Sequence, residues 1–114
     1  MKAWQFSEYG NHKDVLHWVD RDNPTPSSEG AIVRTSAVSL NFPDLLVTQG
    51  LYQVKSPLPA VPGVEGVGIV TETGEDSKFR VGDKVVGFCH GGGTLADYFE
   101  VSNSSAWHAP KHVP

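Results

Sequence analysis

Apolar and polar residues alternate over short stretches of this chain, and the stretches are separated by Gly, Pro, Asn and Ser. Lys2 to Phe6 (K-A-W-Q-F) alternates and reads as a strand. Ser7 to Lys13, with Gly10 and Asn11, reads as a turn. Val15 to Asp20 reads as a second strand, antiparallel to the first if that turn closes a hairpin. Arg21 to Gly30 is polar, holds Pro24, Pro26, Ser27 and Ser28, and reads as a loop. Ala31 to Leu40 is a long strand, and Val64 to Thr73 is another. A turn over Thr73 to Ser77 follows, then the tight turn Val81-Gly82-Asp83, which feeds a strand from Lys84 to Phe88. Cys89 to Gly93 (C-H-G-G-G) is a short, flexible link. Thr94 to Val101 is the last long strand, and Trp107 to Ala109 a final short one. About seven strands in a chain of short pieces predict a mainly β fold, a barrel or partly open sandwich.

One segment breaks the β pattern. Asn41 is a good helix N-cap, because its side-chain oxygen can accept a free N–H of the first turn. Pro43 sits where its missing N–H costs nothing, and Asp44 places negative charge at the positive end. Leu45, Leu46 and Val47 supply an apolar face, and Gly50 is a natural stop. A single short helix over 41–49 is predicted. A loop follows it, with Tyr52 and three prolines, Pro57, Pro59 and Pro62.

Composition narrows the class. A chain of 114 residues forms one domain over 1–114 and can bury a modest core without disulfides or metal. With 13 acids against 9 bases the net charge is −4, which argues against a nucleic-acid partner. The single cysteine, Cys89, permits no internal disulfide. No stretch has the length of a signal-peptide core or a membrane span, so no membrane partner and a cytoplasmic location are expected.

Five pieces in fixed order carry a resemblance: N-F-P-D at 41–44, G-L-Y at 50–52, P-G-V-E-G-V-G at 62–68, V-G-D-K-V at 81–85 and G-G-x-x-A-D-Y at 92–98. Together they resemble the GroES-like catalytic domain of the medium-chain dehydrogenase/reductase superfamily, within it the zinc-independent quinone oxidoreductases. The likeness covers nearly the whole chain. It implies a GroES-like, partly open β-barrel with one short helix near 41–49.

The zinc-bearing relatives hold a cysteine and a histidine where this chain has Asn41 and Val64. Asn is a poor zinc ligand and Val is none, so no metal is expected. Gly63, Gly66 and Gly68 do not lead from a strand into a helix, so they fail as a dinucleotide fingerprint, and close backbone packing explains them better. Glu65 reads as a partly buried anchor bonded to nearby backbone. Cys89 reads as an inert thiol, and His108 and His112 as solvated side chains.

Three residues are candidates for chemistry. Asn41 caps the helix and, by the resemblance, faces the cleft, where its amide can bond the nicotinamide or the substrate carbonyl. It is the candidate cofactor contact. Tyr52 lines the substrate cleft in relatives, and a phenol can stack on a flat ring and donate a hydrogen bond. Asp44 complements the helix dipole, and its family analogue lies near the active site.

The resemblance also implies a second, Rossmann-type domain that holds NADPH, and this chain carries no such unit. The chain is therefore expected to be the substrate-binding half of an NADPH-dependent quinone or enone oxidoreductase. A small carbonyl or quinone and the missing cofactor domain are its partners. Alone it is expected to bind no cofactor and to be inactive. The alternative is a stand-alone GroES-like domain used for binding or assembly, without catalysis. Leu45, Leu46 and Val47, with Leu51 and Leu58, are expected to form a bare apolar patch that drives homo-oligomers.

Overall fold

The structure, a computed structural model, describes residues 1–113. Seven strands and two short helices follow in the order β1 (Lys2–Gln5), α1 (His12–Val15), β2 (His17–Asp20), β3 (Gly30–Val38), α2 (Phe42–Gln49), β4 (Glu65–Thr73), β5 (Lys84–Phe88), β6 (Tyr98–Ser102) and β7 (Ala106–His108). β1 and β2 pair antiparallel as a two-stranded sheet, and the other five form one antiparallel sheet in the order β6-β3-β4-β5-β7. The five-stranded sheet curls into a half-barrel.

The curl follows from alternation. Along β4, Gly66, Gly68 and Val70 face inward, while Glu65, Val67 and Ile69 are half-exposed. Phe79, Val85, Phe99 and Val101 pack with Val33 and Val70 as the inner core. At Gly68 the strands β3 and β4 approach so closely that a methyl group would run into the Arg34 carbonyl. The register slips beside it, between Thr35 and Ala37, so the glycine permits a bulge that tightens the curl.

A second cluster, Phe6, Val15, Val47, Ala60 and Val64, joins the helices to the sheet. Val15 belongs to α1, where the sequence pattern predicts a hairpin turn and the start of a strand. Asn11 caps this helix, its side chain accepting the Lys13 N–H at 2.9 Å. Four residues are too few for a helical apolar period to register, and Gly10-Asn11 is equally a turn signal.

The expected last strand over 94–101 begins four residues later, at Tyr98. Thr94 and Leu95 instead bond back to the segment before β4, through Thr94 N–H to Gly63 O (3.1 Å) and Leu95 N–H to Pro62 O (3.0 Å). Of the expected bare helix stripe, Leu45 is exposed, while Leu46 is half-buried and Val47 is core.

Candidate cleft at the start of the second helix

Asn41 occupies the N-cap position of α2 with extended backbone (φ −127°, ψ 160°), and Gly50 closes the helix in the left-handed region (φ 74°). Asp44, in the first turn, is 7 % exposed. Its Oδ2 accepts the Asn41 N–H at 2.8 Å and its Oδ1 accepts the buried Val64 N–H at 3.0 Å. One carboxylate therefore fastens the helix start to the segment that enters β4. Charge-assisted bonds of this kind are about twice as strong as neutral ones.

Asn41 is the expected N-cap and forms a capping box with Asp44, its side chain set toward the Asp44 N–H. The Asp44 N–H goes to the Asn41 backbone carbonyl at 3.0 Å. The amide oxygen lies over the same turn without a cap hydrogen bond of its own. The amide nitrogen donates to Ser39 Oγ at 3.1 Å and to Glu65 Oε1 at 3.0 Å, and the Ser39 hydroxyl donates to the same Glu65 oxygen. These bonds, from Ser39 first and then Asn41, hold the Glu65 carboxyl below its ordinary 4.5. The partners of Glu65 are thus side chains, not the backbone groups expected for it.

Asn41 and Asp44 line a cleft of about 740 Å³ whose walls include Trp4, Leu40, Phe42, Leu45 and Leu95. Leu40 and Phe42 are among the most exposed apolar side chains, at 75 % and 70 %. The structure brings Asn41 and Asp44 together here and sets Tyr52 elsewhere. Tyr52 is half-buried against the cluster of Phe6, Val47 and Val64 and does not line this cleft. Sequence reasoning missed Ser39 and the apolar walls. Ser39 carried no motif, and Trp4 reaches the cleft only because β1 folds against Leu95, through Trp4 N–H to Leu95 O at 3.0 Å.

Two other residues weighed from sequence lie outside the cleft. Burial and then the charge of Glu100 push the Cys89 thiol up to about 11, so it is protonated at neutral pH. His108 lies 3.1 Å from Asp83 Oδ2 and packs on the Phe79 ring. Among the described residues, no three His, Cys, Asp or Glu side chains gather as a metal-holding group. No helix among them is long and apolar enough to cross a membrane.

Sequence comparison finds the description of the alcohol dehydrogenase GroES-like domain matching residues 27–111. The chain belongs to this GroES-like family. Among relatives of this GroES-like domain, it is 33 % identical over 118 residues to the quinone-oxidoreductase QR1, chloroplastic, of Triphysaria versicolor, covering 99 % of this chain and 36 % of that protein. The solved quinone oxidoreductase from Coxiella burnetii superposes with a TM-score of 0.88 at 29 % identity, over 100 % of this chain and 38 % of that one. The Escherichia coli quinone oxidoreductase, solved complexed with NADPH, superposes with a TM-score of 0.83 at 25 % identity, over 100 % and 35 %. The GroES-like domain described here spans at most about a third of the length of the curated relatives it matches first.

Proposed function

We propose that this domain is the substrate-side half of an NADPH-dependent oxidoreductase acting on quinones or enones. The observation that carries the reading is the cleft at Asn41: a largely apolar hollow, able to admit a flat ring, with the Asn41 amide, Asp44, His12 and Lys13 among its lining. The solved relative complexed with NADPH supports the choice of cofactor.

The residues present fit the nicotinamide end of such a cofactor. Trp4, Leu40, Phe42 and Leu45 offer apolar walls, and Asn41 a polar contact. The phosphates find no comparable seat at α2. Its first turn already holds the Asp44 carboxylate, whose charge opposes theirs. A Rossmann-type partner domain is therefore part of the proposal, and the chain alone is inactive in this reading. NADPH, when bound, supplies a hydride to the acceptor. The chain's own residues position the acceptor, exclude water and offer hydrogen bonds. Asn41 contacts the nicotinamide or the substrate carbonyl. Asp44 holds the Asn41 backbone in place, whereas Tyr52 packs outside this cleft on Phe6, Val47 and Val64 and supports the loop after α2.

The test joins this chain to the cofactor domain of the Escherichia coli relative and measures NADPH oxidation with para-benzoquinone and with a simple enone. Turnover that falls with Asn41→Ala is expected, and Tyr52→Phe should cost less than Tyr52→Ala. A fusion that binds NADPH yet reduces neither acceptor would count against the reading and favour a stand-alone binding or assembly domain.

A further inference from the structure

Apart from the Trp4 indole, which can only donate, the polar side chains lining the cleft are His12, Lys13, Asn41, Asp44 and Thr48. Two of them are already engaged. Each Asp44 oxygen accepts a backbone N–H, and the Thr48 hydroxyl, 1 % exposed, donates to the Leu45 carbonyl at 2.9 Å. Asn41 is engaged in part. Its amide nitrogen lies 3.1 Å from Ser39 Oγ and 3.0 Å from Glu65 Oε1, and those two oxygens are 2.5 Å apart. The two hydrogens of a planar amide diverge too widely to serve both oxygens separately. The oxygens share one hydrogen, and the other is left to donate.

Lys13 and His12 come from α1, the first exposed and the second half-buried. The ion pairs among the described residues, Lys2 with Asp20 and His108 with Asp83, involve neither. Asp14, next along α1, is exposed and does not line the cleft. The uncommitted groups of the cleft therefore all donate: an ammonium with three N–H groups and no acceptor, one amide hydrogen, the indole N–H, and an imidazole that always carries at least one N–H. Leu40, Phe42 and Leu95 add apolar walls, and about 740 Å³ leaves room for a flat body and a polar end.

We infer that the cleft selects acceptors that carry a carboxylate, with Lys13 and His12 as the specificity-determining residues. They take the anionic end while the apolar body lies against Leu40, Phe42 and Leu95, and the spare Asn41 hydrogen is left for a carbonyl. One fixed cation matches a monoanion. A phosphate dianion would bring a second charge toward the Asp44 carboxylate with no fixed cation to meet it. The inference rests on the reductase reading and narrows it: the substrate class is carboxylate-bearing enones or quinones, not neutral ones.

The experiment titrates the 114-residue chain, labelled with nitrogen-15, with trans-cinnamate and with cinnamide, the neutral amide of the same shape, each to tens of millimolar. Cinnamate should shift the backbone signals of Lys13, Asn41 and Phe42 with a dissociation constant at least about threefold below that of cinnamide, a factor within reach of an exposed ion pair. Lys13→Gln, at an exposed position, should abolish the preference, Lys13→Arg should keep it, and His12→Gln should reduce it. Raising the salt to about 0.5 M should narrow the gap, because an exposed charge is screened.

Equal affinity for the two probes, a preference that survives Lys13→Gln, shifts that avoid these residues, or no binding of either probe overturns the inference. Tighter binding of phenyl phosphate than of cinnamate also overturns it and gives the two side chains to a phosphate instead. The titrations involve neither NADPH nor turnover. The fusion enzyme can therefore reduce a quinone while cinnamate shows no preference, or the preference can hold while the fusion is inactive, and the two readings fail separately.

Discussion

Removing the Asp44 carboxylate should be among the most damaging single changes in this chain. Asp44→Ala deletes acceptors for two backbone N–H groups. The Val64 N–H is buried and would have no replacement, a loss of about 1–3 kcal/mol for an unsatisfied buried donor. The Asn41 N–H lies at a helix start, where losing a capping partner costs roughly 0.5–2 kcal/mol. Release of the carboxylate from its buried setting offsets part of the sum, so a net loss of about 2–4 kcal/mol is expected. A domain of this kind has roughly 5–15 kcal/mol in all. Urea unfolding followed by tryptophan fluorescence measures the difference, with the slope unchanged if both chains unfold in one step. Asp44→Asn should fall close to alanine, because an amide has one oxygen for two donors and turns its NH2 against the other N–H. Asp22→Ala, at an exposed position, serves as the control and should stay within about 0.5 kcal/mol. A loss under about 1 kcal/mol for Asp44→Ala, or an asparagine variant as stable as the parent, would refute the account of this carboxylate as the clasp between α2 and β4.

Gly68→Ala should destabilise by about 1–3 kcal/mol or more in the same assay, because its methyl meets the Arg34 carbonyl inside the β3–β4 pairing. Gly82→Ala, with open space around it but φ at 98°, should suffer only the backbone strain, and equal losses at the two sites would sink the close-packing argument. Bonds from the Arg80 N–H and then His108 hold the Asp83 carboxyl below its ordinary 3.8, as Ser39 and Asn41 hold Glu65 below 4.5. Folded values below the unfolded ones mean stability that is full above those ordinary values and lost as pH falls through the depressed ones. Asp83→Asn and Glu65→Gln should therefore flatten the acid limb of melting temperature against pH, and curves parallel to the parent's would contradict this. Leu40, Phe42 and Leu51 (71 % exposed) leave apolar surface open, so sedimentation should show self-association rising with concentration. Leu40→Ser with Phe42→Ser should reduce it, and a parent chain that stays monomeric at high concentration would refute the expectation.

What the sequence disclosed follows the strength of each local signal. The strand from Lys84 to Phe88 was found to the residue, because Val81-Gly82-Asp83 marks its start. The helix after Asn41 was legible because cap, proline, acid and terminal glycine agree. α1 was lost to a turn signal of equal strength. Thr94 to Asp97 looked like strand because they run on into Tyr98 to Val101, and nothing local reveals that the Thr94 and Leu95 N–H groups turn to Gly63 and Pro62 and that of Asp97 to Lys2. At the site, Asn41 and Asp44 were marked by motif. That Asn41 bonds Ser39 and Glu65, 24 residues on, is a product of tertiary register that no local pattern encodes.

The pairing of the first strand with residues near the other end of the chain has a consequence for how the protein is made. Lys2 N–H reaches Asp97 Oδ2 across 95 positions, and Asp97 N–H returns to the Lys2 carbonyl. β3 likewise waits for β6 along Gly30 to Arg34. As the ribosome extends the chain, β3, β4 and β5 can zip together once Phe88 is clear. Ala3, and the side of Val33 that faces Phe99, stay bare until the last strands emerge. Closure of so long a loop comes late and slowly. Between the emergence of Phe88 and that of Ser102 the growing chain therefore displays a half-finished sheet with an open edge, the kind of surface that holdase chaperones shield from aggregation.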